Sequence, residues 1–204
     1  MAAIKFIVKF FPEITIKSKP VRRQFVKQLT NNVKQVLREV DKDIQIQRDW
    51  DKLVVSSELN HDPAAAQLAD CLSRISGIAY FLDVLEFPLG DFDDILARTL
   101  QVYEPRLEGK TFAVRCKRAG RHDFRSIDVE RSVGAGLNRQ TDADGVNLSK
   151  PDVTVQLEIR DQSLYVVNER HKGLGGFPMG SLDPVLSLLS GGFDSTVASY
   201  LTMK

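Results

Sequence analysis

The sequence predicts an α+β protein, and three observations carry that reading. The first 85 residues follow the order β-α-β-β-α-β, and the stretch up to residue 168 follows the order α-β-α-β-β. The last 20 residues run from an apolar strand pattern through Ser190-Gly191-Gly192-Phe193-Asp194-Ser195 into a helical one. At 204 residues, with 43% apolar and 27% charged side chains, the composition is that of a globular protein able to bury a core.

Each element has a local cause. Ile4 to Phe10 alternates as a strand does. Ser18 caps a helix opened by Pro20, whose stripe of Val21, Phe25, Leu29, Val33, Val36, Leu37 and Val40 repeats at helical spacing. Two short strands, Ile44 to Arg48 and Leu53 to Ser56, flank the turn Asp49-Trp50-Asp51-Lys52. Asp62-Pro63 opens a second helix that Gly77 ends, and Ile78 to Leu85 is a fourth strand, completing a ferredoxin-like order. Asp91 then caps a helix that stops before Gly109, and Thr111 to Cys116 is a strand. Ser126 caps a further helix with Asp128 and Glu130 in its first turn. Val153 to Ile159 and Leu164 to Asn168 form a hairpin, and residues 171–184, with four glycines and two prolines, read as linker.

Composition also excludes. No apolar run approaches the ~20 residues that span a bilayer, so no membrane role is expected. Met1-Ala2-Ala3-Ile4-Lys5-Phe6 lacks the pattern of a secretory signal. Two cysteines, Cys71 and Cys116, fit a reducing cytoplasm and read as small core residues. His61, His122 and His171 are scattered, so no metal site is expected from them. Net charge is only +1, but it is segregated. Lys5 to Arg38 holds nine basic residues against Glu13, and Arg115 to Arg125 holds five against Asp123, which leaves −11 for the remainder. Such segregation puts a basic face on a nearly neutral chain, although solvated helix surface is the plainer reading of the first stretch.

Two segments carry chemistry. In Ser190 to Ser195, two glycines sit where a strand turns into a helix. Backbone N–H groups can there approach an anion, next to the partial positive charge of the helix N-terminus. Ser190, Ser195 and Thr196 add hydroxyls. No lysine stands where a Walker A loop needs one. In Arg115 to Ser126, a strand end feeds a loop bearing Arg115, Lys117, Arg118, Arg121, His122 and Arg125, and then a capped helix. This is a pattern for phosphate contacts, with Phe124 split between core and stacking roles. Gly173 to Gly180 lacks the spacing of a dinucleotide loop and reads as a flexible connector.

Ser-Gly-Gly-x-Asp-Ser resembles the PP-loop of ATP pyrophosphatases. The resemblance implies that Ser190, Gly191, Gly192 and Ser195 hold pyrophosphate, that Leu188 and Leu189 line the nucleotide, and that Asp194 serves adenylation through Mg²⁺. The whole chain resembles the 4-thiouridine synthetase family, also called ThiI or tRNA sulfurtransferase. The resemblance rests on Lys5 to Ser18, Lys117 to Phe124, Ser126 to Arg131, Gly175-Gly176-Phe177-Pro178 and Ser190 to Ser195. It implies an N-terminal ferredoxin-like domain over 1–61, extending to about 85 on a wider reading, and a THUMP domain over 62–170. A linker over 171–184 and the first strand-turn-helix of a truncated PP-loop domain over 185–204 complete it.

By the same resemblance, the first two domains hold tRNA, with THUMP gripping its 3′ acceptor end. ATP and Mg²⁺ serve the adenylation of uridine 8 at O4, and sulfur from a cysteine desulfurase replaces that oxygen. Some members also feed thiamine synthesis through a rhodanese cysteine, for which neither cysteine here stands at a matching position. This chain is expected to bind tRNA without turning over ATP, and a homodimer stays open. Two rivals remain: a THUMP module of another tRNA-modifying enzyme, and a PP-loop synthetase that does not act on RNA.

Overall fold

A computed structural model describes residues 4–59 and 61–203. The expectation about Met1-Ala2-Ala3 lies outside them. In chain order the elements are β1 (Ile4–Phe10), α1 (Pro12–Thr15), α2 (Lys19–Leu37), β2 (Gln45–Arg48), β3 (Lys52–Ser57), α3 (Asp62–Ser73) and β4 (Ile78–Pro88). There follow α4 (Phe92–Leu107), β5 (Thr111–Ala119), α5 (Ser126–Gln140), β6 (Gly145–Val146), β7 (Val153–Arg160), β8 (Ser163–Lys172) and α6 (Phe193–Met203). They form two compact units, Met1–Asp83 with Glu169–Lys204, and Val84–Asn168.

In the first unit the strands lie in the order β2-β3-β1-β4, every neighbouring pair antiparallel. This is the ferredoxin-like arrangement. Phe6, Val8 and Phe10 of β1 join Leu53 and Val55 of β3 in a core closed by Phe25, Leu29, Val33 and Leu37 of α2. That four-residue spacing keeps one helix face on the sheet, and each such side chain contributes about 2 kcal/mol of burial. Pro20 sits in the first turn of α2, where no N–H partner is required. The helix closes at Leu37 rather than Val40, because Val40 N–H turns back to the Leu37 carbonyl at 3.0 Å. His61, one residue earlier than expected, caps α3 by accepting from Ala64 N–H at 3.2 Å. Gly77 follows α3 at φ +97°, a conformation that favours glycine.

The stretch read as a flexible connector is docked. Gly173 N–H donates to the Ala79 carbonyl at 3.0 Å and Gly175 N–H to the Ile78 carbonyl at 2.7 Å, while Gly77 N–H donates to the Gly175 carbonyl at 2.8 Å. Phe177 inserts edge-on between Phe11 and Phe25, with ring centroids 6.2 and 5.4 Å away. Asn32 donates to the Met179 carbonyl at 2.9 Å. Buried apolar contact and backbone pairing together override the glycine-rich composition.

The second unit orders its strands β8-β7-β5-β6, with β5 parallel to both β6 and β7 and β7 antiparallel to β8. Phe112, Val114 and Cys116 of β5 pack with Ile95 and Leu107 of α4 and Val129, Val133 and Leu137 of α5. Asp91 caps α4, accepting from Asp93 and Asp94 N–H at 3.0 and 2.9 Å. Strand β5 runs three residues past Cys116, carried by its ladder with β7 to the pair Ala119 and Arg160. Arg125, not Ser126, precedes α5, and its N–H donates to Asp128 at 2.8 Å.

The strand expected from Val185 does not form: residues 185–190 make no ladder among the described residues, and only α6 is regular. A strand depends on hydrogen-bonded neighbours, and none lies beside this segment.

Candidate nucleic-acid and nucleotide sites

The basic cluster of the second unit sits where β5 delivers its end to α5. Gly120, at φ +100°, lets the loop pass the β7–β8 turn, since a Cβ there would stand 2.7 Å from the Asp161 carboxylate. Asp161 N–H in turn donates to the Ala119 carbonyl at 3.1 Å.

The six residues do not share one role. Arg118 turns inward, with Nη1 3.3 Å from the Gly120 carbonyl and 3.0 Å from His122 Nδ1. A guanidinium only donates, so His122 Nδ1 accepts, and Nε2 carries the proton given to the Asp161 carbonyl at 2.7 Å. His122 therefore braces the loop between Arg118 and Asp161. Phe124 is half-buried and packs against the core, edge-on to Phe92 at 5.4 Å. Arg125 is exposed but ion-paired with Asp128 at 3.2 Å, which holds that carboxyl below its usual range.

Lys117 and Arg121 are exposed, and among the described residues neither forms an ion pair. Arg115 donates from Nη2 to the Leu148 carbonyl at 2.8 Å and from Nη1 to the Val114 carbonyl at 3.4 Å. It lines a groove of about 300 Å³ with Arg131 and the exposed apolar lip of Ile127, Val146 and Leu148. The sequence reading missed these four residues. Arg131 lies one helical turn past Ile127, and only the fold brings both to Arg115.

The cysteines are quiet. Burial, and then the nearby Glu130 carboxylate, push the Cys116 thiol up to about 12, and burial also raises Cys71. Both thiols stay protonated at neutral pH.

At the C-terminal turn the structure brings together Ser190, Gly192 and Ser195. Ser190 N–H donates to Ser195 Oγ at 3.1 Å, and the same hydroxyl lies 3.0 Å from the Gly192 carbonyl. Leu188 and Leu189 are largely exposed, as are Gly191, Asp194 and Thr196. A Cβ on Gly191 would meet nothing within 4 Å. An open backbone turn, two hydroxyls and a helix N-terminus are donors of the kind a phosphate takes, and Asp194 adds the oxygen ligands suited to Mg²⁺. These residues fit the phosphate end of a nucleotide.

Residues 5–81 match the ThiI ferredoxin-like domain and residues 90–168 match the THUMP domain. The chain is 53% identical over 201 residues to a tRNA sulfurtransferase of Pseudomonas syringae pv. tomato, and 51% identical over 201 residues to one of Azotobacter vinelandii. Each match takes in 98% of this chain and 42% of the relative. Among solved structures it is similar to a 4-thiouridine synthetase in complex with RNA and bound ATP, at TM-score 0.79 and 25% identity over 98% of this chain and 50% of that one. PH1313 of Pyrococcus horikoshii shares the fold, at TM-score 0.79 and 23% identity over 98% of this chain and 65% of that one. Carrying both of its N-terminal domain types, the chain belongs to the tRNA sulfurtransferase (ThiI) family.

Proposed function

We propose that this chain is the tRNA-binding portion of an ATP-dependent tRNA sulfurtransferase, and that its THUMP unit takes the acceptor end. One observation carries the reading. The end of β5 presents Lys117 and Arg121 to solvent without acidic partners, beside Arg115, on a loop that Arg118, His122 and Asp161 hold in place. Rigid, unneutralised cations suit a phosphate backbone, which positions a substrate without reading its sequence. The named partners of its relatives support the reading, for they are tRNA sulfurtransferases and an RNA-bound 4-thiouridine synthetase.

In the full enzyme, Ser190, Gly191, Gly192, Ser195 and Thr196 hold the phosphates, and Leu188 and Leu189 line the nucleotide. Asp194 serves the chemistry with Mg²⁺. ATP supplies the activation of uridine 8 at O4, which makes a poor leaving oxygen displaceable by sulfur. The sulfur comes from a cysteine desulfurase, in the cytoplasm, with a link to thiamine synthesis in some members. The 204 residues alone bind tRNA and do not turn over ATP.

The test is a salt titration of binding to whole tRNA and to tRNA trimmed of its 3′ end. The reading expects these three cations to contribute about −2 to the logarithmic slope, and a several-fold loss on trimming. Equal binding to both RNAs would remove acceptor-end recognition.

A further inference from the structure

We infer that a second groove, in the ferredoxin-like unit, is a seat for an unpaired RNA nucleotide, with Trp50 as stacking platform and Lys19, Arg22, Arg23 and Arg48 as the phosphate cradle. The inference rests on the tRNA reading above and adds a site in the other unit.

The groove has a volume of about 340 Å³ and is formed by the first turns of α2 and the β2–β3 turn. Lys19, Arg22 and Arg23 come from the helix, Arg48 and Trp50 from the turn, and Val26 closes the floor. Four cations thus face one acid, Asp49, and that carboxylate lies 3.6 Å from Lys52. Among the described residues none of the four cations forms an ion pair. Arg22 gives one contact, at 3.4 Å, to the Thr15 carbonyl and keeps its other donors. So many uncompensated positive charges in one concavity are complementary to a polyanion.

Trp50 narrows the choice of polyanion. It is 69% exposed, although an indole is the largest apolar ring system a side chain carries. It stands in the β2–β3 turn, where its backbone N–H donates to the Asp49 carboxylate at 2.7 Å. On the inner side, the Asp51 carboxylate is bound by Lys9 Nζ at 2.9 Å, so the turn is tied back to β1. An exposed indole beside a cluster of guanidinium groups matches how unstacked bases are held, by stacking for the base and charge for the phosphate. A duplex backbone would use the cations and leave the indole idle.

Trp50 is the only tryptophan of the chain, so its fluorescence reports this groove alone. The experiment titrates the full chain with labelled tRNA, with a short single-stranded oligoribonucleotide and with heparin, following anisotropy and tryptophan emission together. Both RNAs are expected to quench Trp50, and heparin to leave its emission unchanged. Trp50→Ala is expected to weaken oligonucleotide binding by on the order of tenfold, with Trp50→Phe restoring most of it. Arg22→Ala with Arg23→Ala is expected to flatten the salt slope by about 2. A rise in tRNA anisotropy with unchanged Trp50 emission would overturn the groove and leave the tRNA reading standing. Absence of both signals would overturn both. Equal quenching by heparin would reduce the site to a charged surface without a stacked base.

Discussion

Arg118 and His122 face each other across the β5–α5 loop, Nη1 to Nδ1 at 3.0 Å, with the far nitrogen of the imidazole bound to the Asp161 carbonyl. The basic loop is thus shaped by two of the residues whose type suggests phosphate contact. Arg118 Nε is already buried without a partner, so losing the imidazole leaves a second poorly satisfied donor. His122→Ala is expected to cost about 1–2 kcal/mol by thermal unfolding. It also weakens tRNA binding indirectly. A variant that binds worse at unchanged stability would place His122 on the RNA instead.

The cations that remain free follow a different rule. Lys117→Ala and Arg121→Ala leave the fold intact, since both side chains are exposed. Each should lower tRNA affinity and reduce the magnitude of the salt slope by about 1. Arg125→Ala should do less, because Asp128 already holds its guanidinium. Anisotropy across a salt series ranks the three.

Cys116 N–H has no strand partner on its side of β5, and Glu130 Oε1 accepts from it at 2.8 Å. Glu130→Ala removes that acceptor and is expected to destabilise by about 1–3 kcal/mol, read from urea unfolding. Glu130→Gln keeps an oxygen there, so its cost should be clearly smaller.

Alkaline pH tests the buried thiol. In the folded chain Cys116 is pushed from 9.0 up to about 12 by burial and Glu130, and Tyr165 from 10.0 to about 12 by burial and its hydrogen bond to Glu86. Between the unfolded and folded values the native state binds more protons, so stability falls as pH rises from about 9 to 12. Cys116→Ala should flatten the first part of that fall in unfolding curves taken from pH 8 upward. Thiol reagents at pH 8 should modify Cys71 well before Cys116.

Phe177 is the apolar anchor of the docked connector, edge-on to Phe11 and Phe25. Phe177→Ala is expected to cost about 2 kcal/mol and to open residues 173–184 to limited proteolysis while the THUMP unit stays protected. Unchanged digestion would mean that the backbone bonds from Gly173 and Gly175 suffice.

Most of this architecture is legible from periodicity, because α2, α4, α5 and the hairpin of β7 and β8 bury one face each. What escapes the sequence has physical causes. Pro12–Thr15 and Gly145–Val146 are too short to carry a period. Val185 to Leu189 has strand propensity without neighbouring strands, and propensity alone does not satisfy a backbone. The basic loop is visible as a cluster. That His122 braces the loop depends on the Asp161 carbonyl, 39 residues away. The groove at Trp50 is invisible for the same reason, since only the fold brings Lys19 to Arg48.

The docking of the connector also sets a length. From Gly173 to Ser181 the chain is fastened to the ferredoxin-like unit, and regular structure resumes at Phe193. The residues between, 182–192, reach about 38 Å at full stretch. The phosphate-type turn is therefore a leashed element, rooted at Ser181 and confined to a sphere of that radius around it. Its local concentration near the first unit is fixed by leash length rather than by affinity, and lengthening those few residues would dilute it without touching any contact.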